Sequence, residues 1–184
     1  DVIGLLKEIK DPADAPKTVA VVHADDFFAN AIATGLLGQK VIDPANDKEI
    51  ADLAPGYFKE AGIEVVMEEK WPEEGFNDWL NLANSIKRSG AEMIVGLTAS
   101  AEEAVQLMRA LKTVGASAKL VYLSQGAQTE FIEGVGNDAA DGVVIHTTWH
   151  KDVPFKSTLA GKPFDNADFV KAFEAEYGVE PDED

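Results

Sequence analysis

The chain lacks cysteine and is poor in basic residues. Among its 184 residues there is no cysteine, and 16 lysines and arginines stand against 33 aspartates and glutamates. Without cysteine the chain has no disulfide, no thiol nucleophile and no thiolate metal site. The formal net charge of −17 argues against nucleic acid or an anionic membrane as a partner, because both attract clustered lysine and arginine.

Long hydrophobic runs are also missing. No apolar run approaches the roughly 20 residues that a membrane-spanning helix needs. The 46% of apolar residues is nevertheless ordinary for a globular chain, and 184 residues suffice to bury one sizeable core. The sequence begins at Asp1 with neither methionine nor a signal peptide, so we interpret it as a mature or excised segment.

The most informative stretch that is present covers residues 18–37. Residues 18–22 are apolar or β-branched without alternation, which predicts a strand buried on both faces and hence a parallel sheet. From Phe27 onward apolar residues recur at helical spacing, and Asp25 or Asp26 is a good N-cap for that helix. The turn between strand and helix therefore lies at the sheet edge where open α/β folds bind ligands.

The same alternation of strand and helix recurs along the chain. Four further strands are predicted at residues 63–67, 93–97, 120–123 and 142–146. Long helices are predicted at residues 78–89, 101–114 and 167–177. Strands that alternate with helices predict an α/β fold with a doubly wound, mostly parallel five-stranded sheet of flavodoxin-like order 2-1-3-4-5.

Three segments depart from this alternation. Residues 39–47 predict a polar connection, and the residues after them predict a second helix that ends near Gly62. Residues 147–163 have no periodicity and predict a long excursion before the last helix. A short amphipathic helix is predicted at residues 2–9, ahead of the first strand.

The predicted strand ends carry hydroxyls, one amide and aromatic rings. The candidate ligand-binding residues at this rim are Phe27, Phe28, Thr98, Ser100, Ala101, Ser124, Gln125 and Trp149. No catalytic residue is predicted, because no nucleophile stands beside a base and an orienting acid. Hydrogen-bond donors with aromatic walls suit holding a small molecule better than transforming it.

Two phosphate-binding chemistries fit these residues less well. A phosphorylated receiver domain would need an aspartate at the end of the third strand and a lysine at the end of the fifth. The chain has Leu97 followed by Thr98 in the first place and His146 in the second. The acidic turn at Asp25 and Asp26 would repel a flavin phosphate at the helix N-terminus.

A dinucleotide or a metal ion also fits poorly. Residues 134–136 lack the preceding strand and the third glycine of a dinucleotide fingerprint and predict a turn. His146 and His150 would stand about 13 Å apart in an extended chain, too far for one ion. We therefore predict no cofactor and no metal, and we expect Trp71 and Trp79 to be packing residues.

The order of six segments resembles one protein family. These segments are residues 17–28, 58–66, 76–80, 86–94, 107–115 and 169–178. Together they resemble the second lobe of type I periplasmic solute-binding proteins, and most of all the branch that serves ABC importers of branched-chain amino acids and amides. The resemblance extends from Lys17 to Glu180, nearly the whole chain.

The resemblance implies one lobe of a larger receptor. Such proteins have two flavodoxin-like lobes that close on a small solute and then dock on a membrane permease. We therefore expect residues 1–184 to form a single α/β lobe whose first lobe is absent, holding about half of a binding site. The implied partners are a small solute, the missing first lobe and the permease, in the periplasm or outside the cell, with or without a membrane tether.

The resemblance also assigns single residues. The family's aromatic contact after the first strand falls on Phe28, with Phe27 beside it, and the contact after the third strand falls on Ser100 or Ala101. The acidic residue that meets the ligand ammonium in amino-acid binders falls on Gln125. A neutral amide cannot supply that charge-assisted bond, so an amino acid, an amide and an aromatic or aliphatic carboxylate all stay open as ligands.

Two other functions stay open at this point. One is an enzyme of flavodoxin-like fold, and the other is the ligand-sensing lobe of a signalling receptor. The absence of a nucleophile with a base beside it favours a binding protein over an enzyme.

Overall fold

A parallel sheet of five strands lies at the centre of the protein. The computed structural model describes residues 2–46 and 48–181. The sheet strands are β1 (Thr18–Ala24), β4 (Glu64–Trp71), β5 (Met93–Leu97), β6 (Leu120–Leu123) and β7 (Val143–Ile145). They lie in the order β4-β1-β5-β6-β7, with every pair parallel. Counted among these five strands alone the order is 2-1-3-4-5, which confirms the predicted topology.

The strand β1 lies inside the sheet, where β4 and β5 pair with it along most of its length. Its six residues from Val19 onward are buried, as the unbroken apolar run predicted. His23 lies opposite Lys70 of β4 and opposite Leu97 of β5. These registers bring the carboxyl ends of the three strands to the same edge of the sheet.

Helices connect the parallel strands. They are α1 (Val2–Lys7), α2 (Phe27–Leu37), α3 (Tyr57–Glu60), α4 (Trp79–Ser89), α5 (Ala101–Val114), α6 (Thr129–Val135), α7 (Asn137–Ala140) and α8 (Asn166–Tyr177). The helices α4 and α5 pack against each other, and their apolar faces complete the core. In the described part of the chain no helix is long and apolar enough to cross a membrane.

Gly96 in β5 shows how closely the core is packed. A Cβ atom at this position would lie 2.7 Å from Cδ2 of Leu107 on α5 and 2.8 Å from Cδ2 of Leu123 on β6. Such distances are shorter than van der Waals contact, so only glycine lets the helix approach the sheet this closely.

The prediction was wrong for residues 39–54, whereas the helix predicted to end near Gly62 is present as the single turn α3. Instead of a polar connection and the start of a longer helix, residues 39–54 form an antiparallel hairpin of β2 (Gln39–Asp43) and β3 (Lys48–Ala54). The turn is held by side chains, because the Asp43 carboxylate accepts hydrogen bonds from Ala45 N and from Nδ2 of Asn46 at 2.9 and 2.7 Å. Such Asx-type bonds stabilise a turn where the residue types of β3 favour a helix.

The carboxyl-terminal part agrees with its prediction more closely. The excursion over residues 147–163 contains only the two-residue strands β8 (Thr158–Leu159) and β9 (Lys162–Pro163). The helix α8 then begins with a capping box, in which Asp165 accepts from the Asp168 backbone N–H and the Asp168 side chain accepts from the Asp165 N–H. The predicted final helix is thereby confirmed.

Candidate functional site

The two adjacent aspartates after β1 have different partners. The Asp26 carboxylate caps α2, with Oδ1 accepting from the backbone N–H groups of Phe28 and Ala29 at 2.7 and 3.1 Å. Asp25 instead accepts from Nδ2 of Asn30 at 2.9 Å and lies 3.0 Å from the Lys70 ammonium. The Asn30 hydrogen bond, and next the Lys70 bond, lower the pKa of Asp25. Both carboxylates therefore order the start of α2.

Two phenylalanines are exposed where β1 meets α2. Phe27 is 92% exposed and Phe28 is 43% exposed, although both side chains are large and apolar. Neither residue belongs to the hydrophobic core cluster of the described chain. An apolar pair that does not pack inside the protein is available to a ligand or a partner at this edge.

The hydroxyl-bearing candidates lie at different depths. Thr98 is fully buried, and Ser124 is 3% exposed. Ser124 Oγ donates to the Thr98 carbonyl at 3.1 Å, so this pair joins the ends of β5 and β6. Thr98 Oγ1 is buried without a hydrogen-bond partner among the described residues, which leaves it free to bond a water or another polar group. As direct ligand contacts, Thr98 and Ser124 stay predictions.

Ser100 is exposed at the start of α5 and caps that helix. Its hydroxyl accepts from the Glu103 backbone N–H at 3.2 Å. Ala101, the first helical residue, is half-buried beside it. A cavity of about 380 Å³ opens next to Ser100 and is also lined by Phe76, Trp79 and Glu103. The site thus combines aromatic walls with a polar rim, which suits a small solute.

Aromatic rings support one wall of this cavity. Trp71 and Trp79 lie edge to face with centroids 5.2 Å apart, and Phe76 lies 4.7 Å from Trp79. Trp71 is only 2% exposed, and it packs in the core as predicted. Edge-to-face packing fixes the ring positions, so the wall has a defined shape.

Gln125 follows β6 at the same edge and is half-buried. Its Oε1 accepts from Nε2 of Gln128 at 3.2 Å. Oε1 of Gln128 in turn accepts from the Gly126 backbone N–H at 3.1 Å. Two side-chain amides joined by a hydrogen bond therefore lie just after the carboxyl end of β6.

Trp149 belongs to a second group of aromatic residues. Its Nε1 donates to Oδ1 of Asn166 at 2.7 Å, and its ring lies edge to face with Phe169, with centroids 5.7 Å apart. A second cavity, also of about 380 Å³ and separate from the one next to Ser100, is lined by Trp149, Phe155 and Phe164. The structure therefore brings Trp149 together with α8 and the excursion before it.

The histidines form no metal centre in the described residues. His23 is buried at the end of β1, where Nδ1 lies 2.9 Å from the carbonyl of Ala24. His150 Nδ1 lies 3.6 Å from a carboxylate oxygen of Asp152 on the surface. Over residues 2–46 and 48–181, no three histidine, aspartate or glutamate side chains come close enough to hold a metal ion.

Sequence reasoning missed two residues of this edge, Glu103 and Gln128. Glu103 joins Trp71 to the loop after β5, and Gln128 holds Gln125. The only signal for Glu103 was its place three residues after a capping serine, the spacing of a capping box. For Gln128 it was a second glutamine three residues after the first, with a glycine between them.

A family model described as "Periplasmic binding protein" matches residues 42–184 of the chain. No curated protein matches the chain. An amino acid ABC transporter substrate-binding protein from Pseudomonas fluorescens is 16% identical, with a TM-score of 0.67 over 98% of this chain and 40% of that one. A leucine-, isoleucine-, valine-, threonine- and alanine-binding protein from Brucella ovis, in a closed conformation, is 15% identical, with a TM-score of 0.65 over 97% and 38%.

A third solved structure, a leucine binding protein from Thermotoga maritima, is 18% identical with a TM-score of 0.63. The match covers 98% of this chain and 43% of that one. The chain thus spans about two fifths of the length of these proteins. At such identities the likeness shows a shared fold.

Proposed function

Since the chain belongs to the periplasmic binding protein family, whose model matches residues 42–184, we propose that it is the solute-binding part of an ABC importer. It captures a small amino acid, an amide or an aromatic or aliphatic carboxylate at the carboxyl ends of its strands. The observation that carries this proposal is the exposure of Phe27 and Phe28 just after the carboxyl end of β1. Apolar rings at that edge, with polar groups beside them, form the kind of surface that holds a small solute.

The proposed contact residues differ in what they offer. Phe27 and Phe28 supply apolar surface, Ser100 and Ala101 line the start of α5, and Gln125 supplies an amide. Thr98 and Ser124 are buried and hydrogen-bonded to each other, so they support the rim by holding the ends of β5 and β6 together. Trp149 contacts the solute from the excursion after β7, or holds that excursion on α8 as its bond to Asn166 favours.

The proposed partners follow from the type I architecture. A first lobe, absent from residues 1–184, closes over the rim and supplies the other half of the contacts. The closed receptor then docks on a membrane permease, in the periplasm or outside the cell, with or without a membrane tether. Nucleic acid is not a partner, since the net charge of −17 repels phosphate.

Native mass spectrometry of the chain with a library of amino acids, short amides and carboxylates tests the proposal. We expect retention of one chemical class, with an affinity of about 1 mM because half of the contacts are absent. The same samples should contain no converted solute, since the proposed role is binding and the proposed contact residues include no nucleophile paired with a base and an orienting acid. A solute consumed in proportion to the chain's concentration would identify an enzyme and contradict the proposal.

A further inference from the structure

The orientation of the Gln125 side chain is fixed by a backbone group. The Gly126 N–H can only donate, and it lies 3.1 Å from the Gln128 side chain, so the atom that meets it must be the carbonyl oxygen Oε1. The amino group of Gln128 must then point the other way. It meets Gln125 at 3.2 Å, and the Gln125 atom that accepts this hydrogen bond is necessarily Oε1.

The other end of the Gln125 amide is left without a protein partner. Its Oε1 is engaged by Gln128, and no described residue accepts a hydrogen bond from its Nε2. Gln125 is half-buried, and Nε2 is not one of the fully buried unpaired side-chain atoms of the described residues, so it is at least partly accessible to solvent. The rim therefore presents a hydrogen-bond donor at this position.

The backbone that carries Gln125 is also held in place. The Ser124 N–H donates to the Gly96 carbonyl at 3.0 Å, and Ser124 Oγ donates to the Thr98 carbonyl at 3.1 Å. Ser124 is buried, so these bonds are shielded from water. The donor is thus positioned before a ligand arrives.

The carboxylate of Glu103, in the first turn of α5, has both of its oxygens engaged by donors of the protein. One of its oxygens accepts from Trp71 Nε1 at 3.0 Å and the other from the Ala99 N–H at 2.8 Å. A ligand ammonium that approaches Glu103 would have to compete with both donors. At the end of β1, Oδ2 of Asp26 is buried without a hydrogen-bond partner among the described residues, and the carboxylate of Asp26 already caps α2 through Oδ1.

We propose that Gln128 is a positioning residue that fixes Gln125 as a donor, and that this rim receives its ligand through a carboxylate or carbonyl oxygen instead of an ammonium group. The inference rests on the proposed function and deepens it by naming the ligand group. It assigns opposite roles to two glutamines of the same loop, one that binds and one that orients.

Three probes of one carbon framework test the proposal in the 184-residue chain. Isovalerate offers a carboxylate, 4-methyl-2-pentanone a neutral carbonyl oxygen, and isopentylamine an ammonium. Binding is measured from the shift of the Gln125 side-chain NH₂ resonances in ¹⁵N–¹H spectra. We expect isovalerate to bind about tenfold more tightly than isopentylamine, the scale of one hydrogen bond to a charged acceptor.

The variant Gln128→Glu tests whether the orientation of the Gln125 amide, and not merely the presence of Gln125, decides which ligand group binds. Its carboxylate still accepts from the Gly126 N–H, but it can no longer donate to Gln125. It instead attracts the Gln125 amino group, so the Gln125 carbonyl turns to the rim and the preference reverses towards the amine. Gln39→Glu on the exposed strand β2 adds the same charge far along the chain and should leave the preference unchanged.

The neutral ketone distinguishes amide rotation from charge. Because 4-methyl-2-pentanone only accepts hydrogen bonds, it should lose about tenfold in affinity in Gln128→Glu and little in Gln39→Glu. Tighter binding of the amine by the unchanged chain, or equal ketone binding in both variants, would overturn the inference while leaving solute binding intact. Unchanged Gln125 side-chain NH₂ resonances on addition of isovalerate would also overturn the inference. The library experiment tests the proposed function separately.

Discussion

The indole Nε1 of Trp71, at the end of β4, donates a hydrogen bond of 3.0 Å to the carboxylate of Glu103 on α5. The second carboxylate oxygen of Glu103 accepts from the Ala99 backbone N–H at 2.8 Å. One half-buried side chain thereby joins the edge strand, the loop after β5 and the first turn of α5. Because the three pieces meet beside Ser100, the shape of the proposed site depends on this bond.

Replacing Glu103 by glutamine should destabilise the protein by about 1–2 kcal/mol. The new amide keeps one acceptor oxygen but turns an amino group towards a second donor, so one charge-assisted bond is lost. Glu102→Gln is the matched control, since this exposed neighbour occupies the same helical turn, and it should cost about 0.5 kcal/mol or less. Urea unfolding measures both, and equal losses would contradict the role given to Glu103.

The two aspartates before α2 should differ in their contribution to stability. Asp26→Ala removes the acceptor of two backbone N–H groups and should cost about 1 kcal/mol. Asp25→Ala removes only an exposed ion pair and an exposed side-chain bond, which water and salt screen, so its loss of stability should be the smaller of the two. Thermal unfolding measures the stability of both variants. A larger loss of stability in Asp25→Ala than in Asp26→Ala would refute the assignment of Asp26 as the cap.

Glu92 should make stability depend on acid pH. The Lys17 N–H at 2.7 Å and, after it, the Lys119 ammonium lower the pKa of Glu92 from its ordinary value of 4.5. A lowered folded-state pKa contributes stability above pH 4.5, and this contribution disappears as the pH falls through the folded-state value. The difference in unfolding free energy between the protein and Glu92→Gln should therefore shrink below pH 4.5. A difference that stays constant down to about pH 2 would exclude the linkage.

A side chain at Gly96 should destabilise the protein. A methyl group there would meet Leu107 and Leu123 at 2.7 and 2.8 Å, so Gly96→Ala should cost about 1–3 kcal/mol. Gly4 in α1 is the matched control, because nothing lies within 4 Å of its Cβ position and its φ is not positive. There the same change should stabilise by about 0.4–1 kcal/mol. Denaturant midpoints measure both, and a neutral Gly96→Ala would contradict the packing.

The strands β1 and β5 could be predicted most clearly, because burial on two faces leaves an unbroken apolar run. The edge strand β4 is mostly exposed, and its prediction ended at residue 67 although the strand extends to Trp71. Strands such as residues 18–22 and 93–97 show unbroken apolar runs, and glycines or capping residues mark the helices between them. The hairpin at residues 39–54 left no such mark, since β2 and β3 are mostly exposed and their sequences do not alternate between apolar and polar residues. Its turn depends on the Asp43 side chain, which composition does not reveal.

The site could be predicted only as a set of positions. The ends of the parallel strands place Phe28, Ser100 and Gln125 on one edge once the topology is known. Sequence could not foresee that Thr98 and Ser124 are buried while Phe27 is exposed, because depth at a strand end is set by the neighbouring loops. Nor could it show which end of the Gln125 amide faces outward, since that follows from a bond to Gln128.

The most direct measurement is a map of backbone ¹⁵N–¹H shifts in the 184-residue chain, titrated with the solute that native mass spectrometry retains. Solute binding at the strand ends predicts saturable shifts at residues 25–28, 98–101 and 124–126. It also predicts that Phe27→Ser weakens binding while leaving the free energy of unfolding within about 0.5 kcal/mol, since Phe27 is 92% exposed. Saturable shifts confined to α8 and residues 147–165, or to the opposite edge of the sheet, would contradict the proposed site.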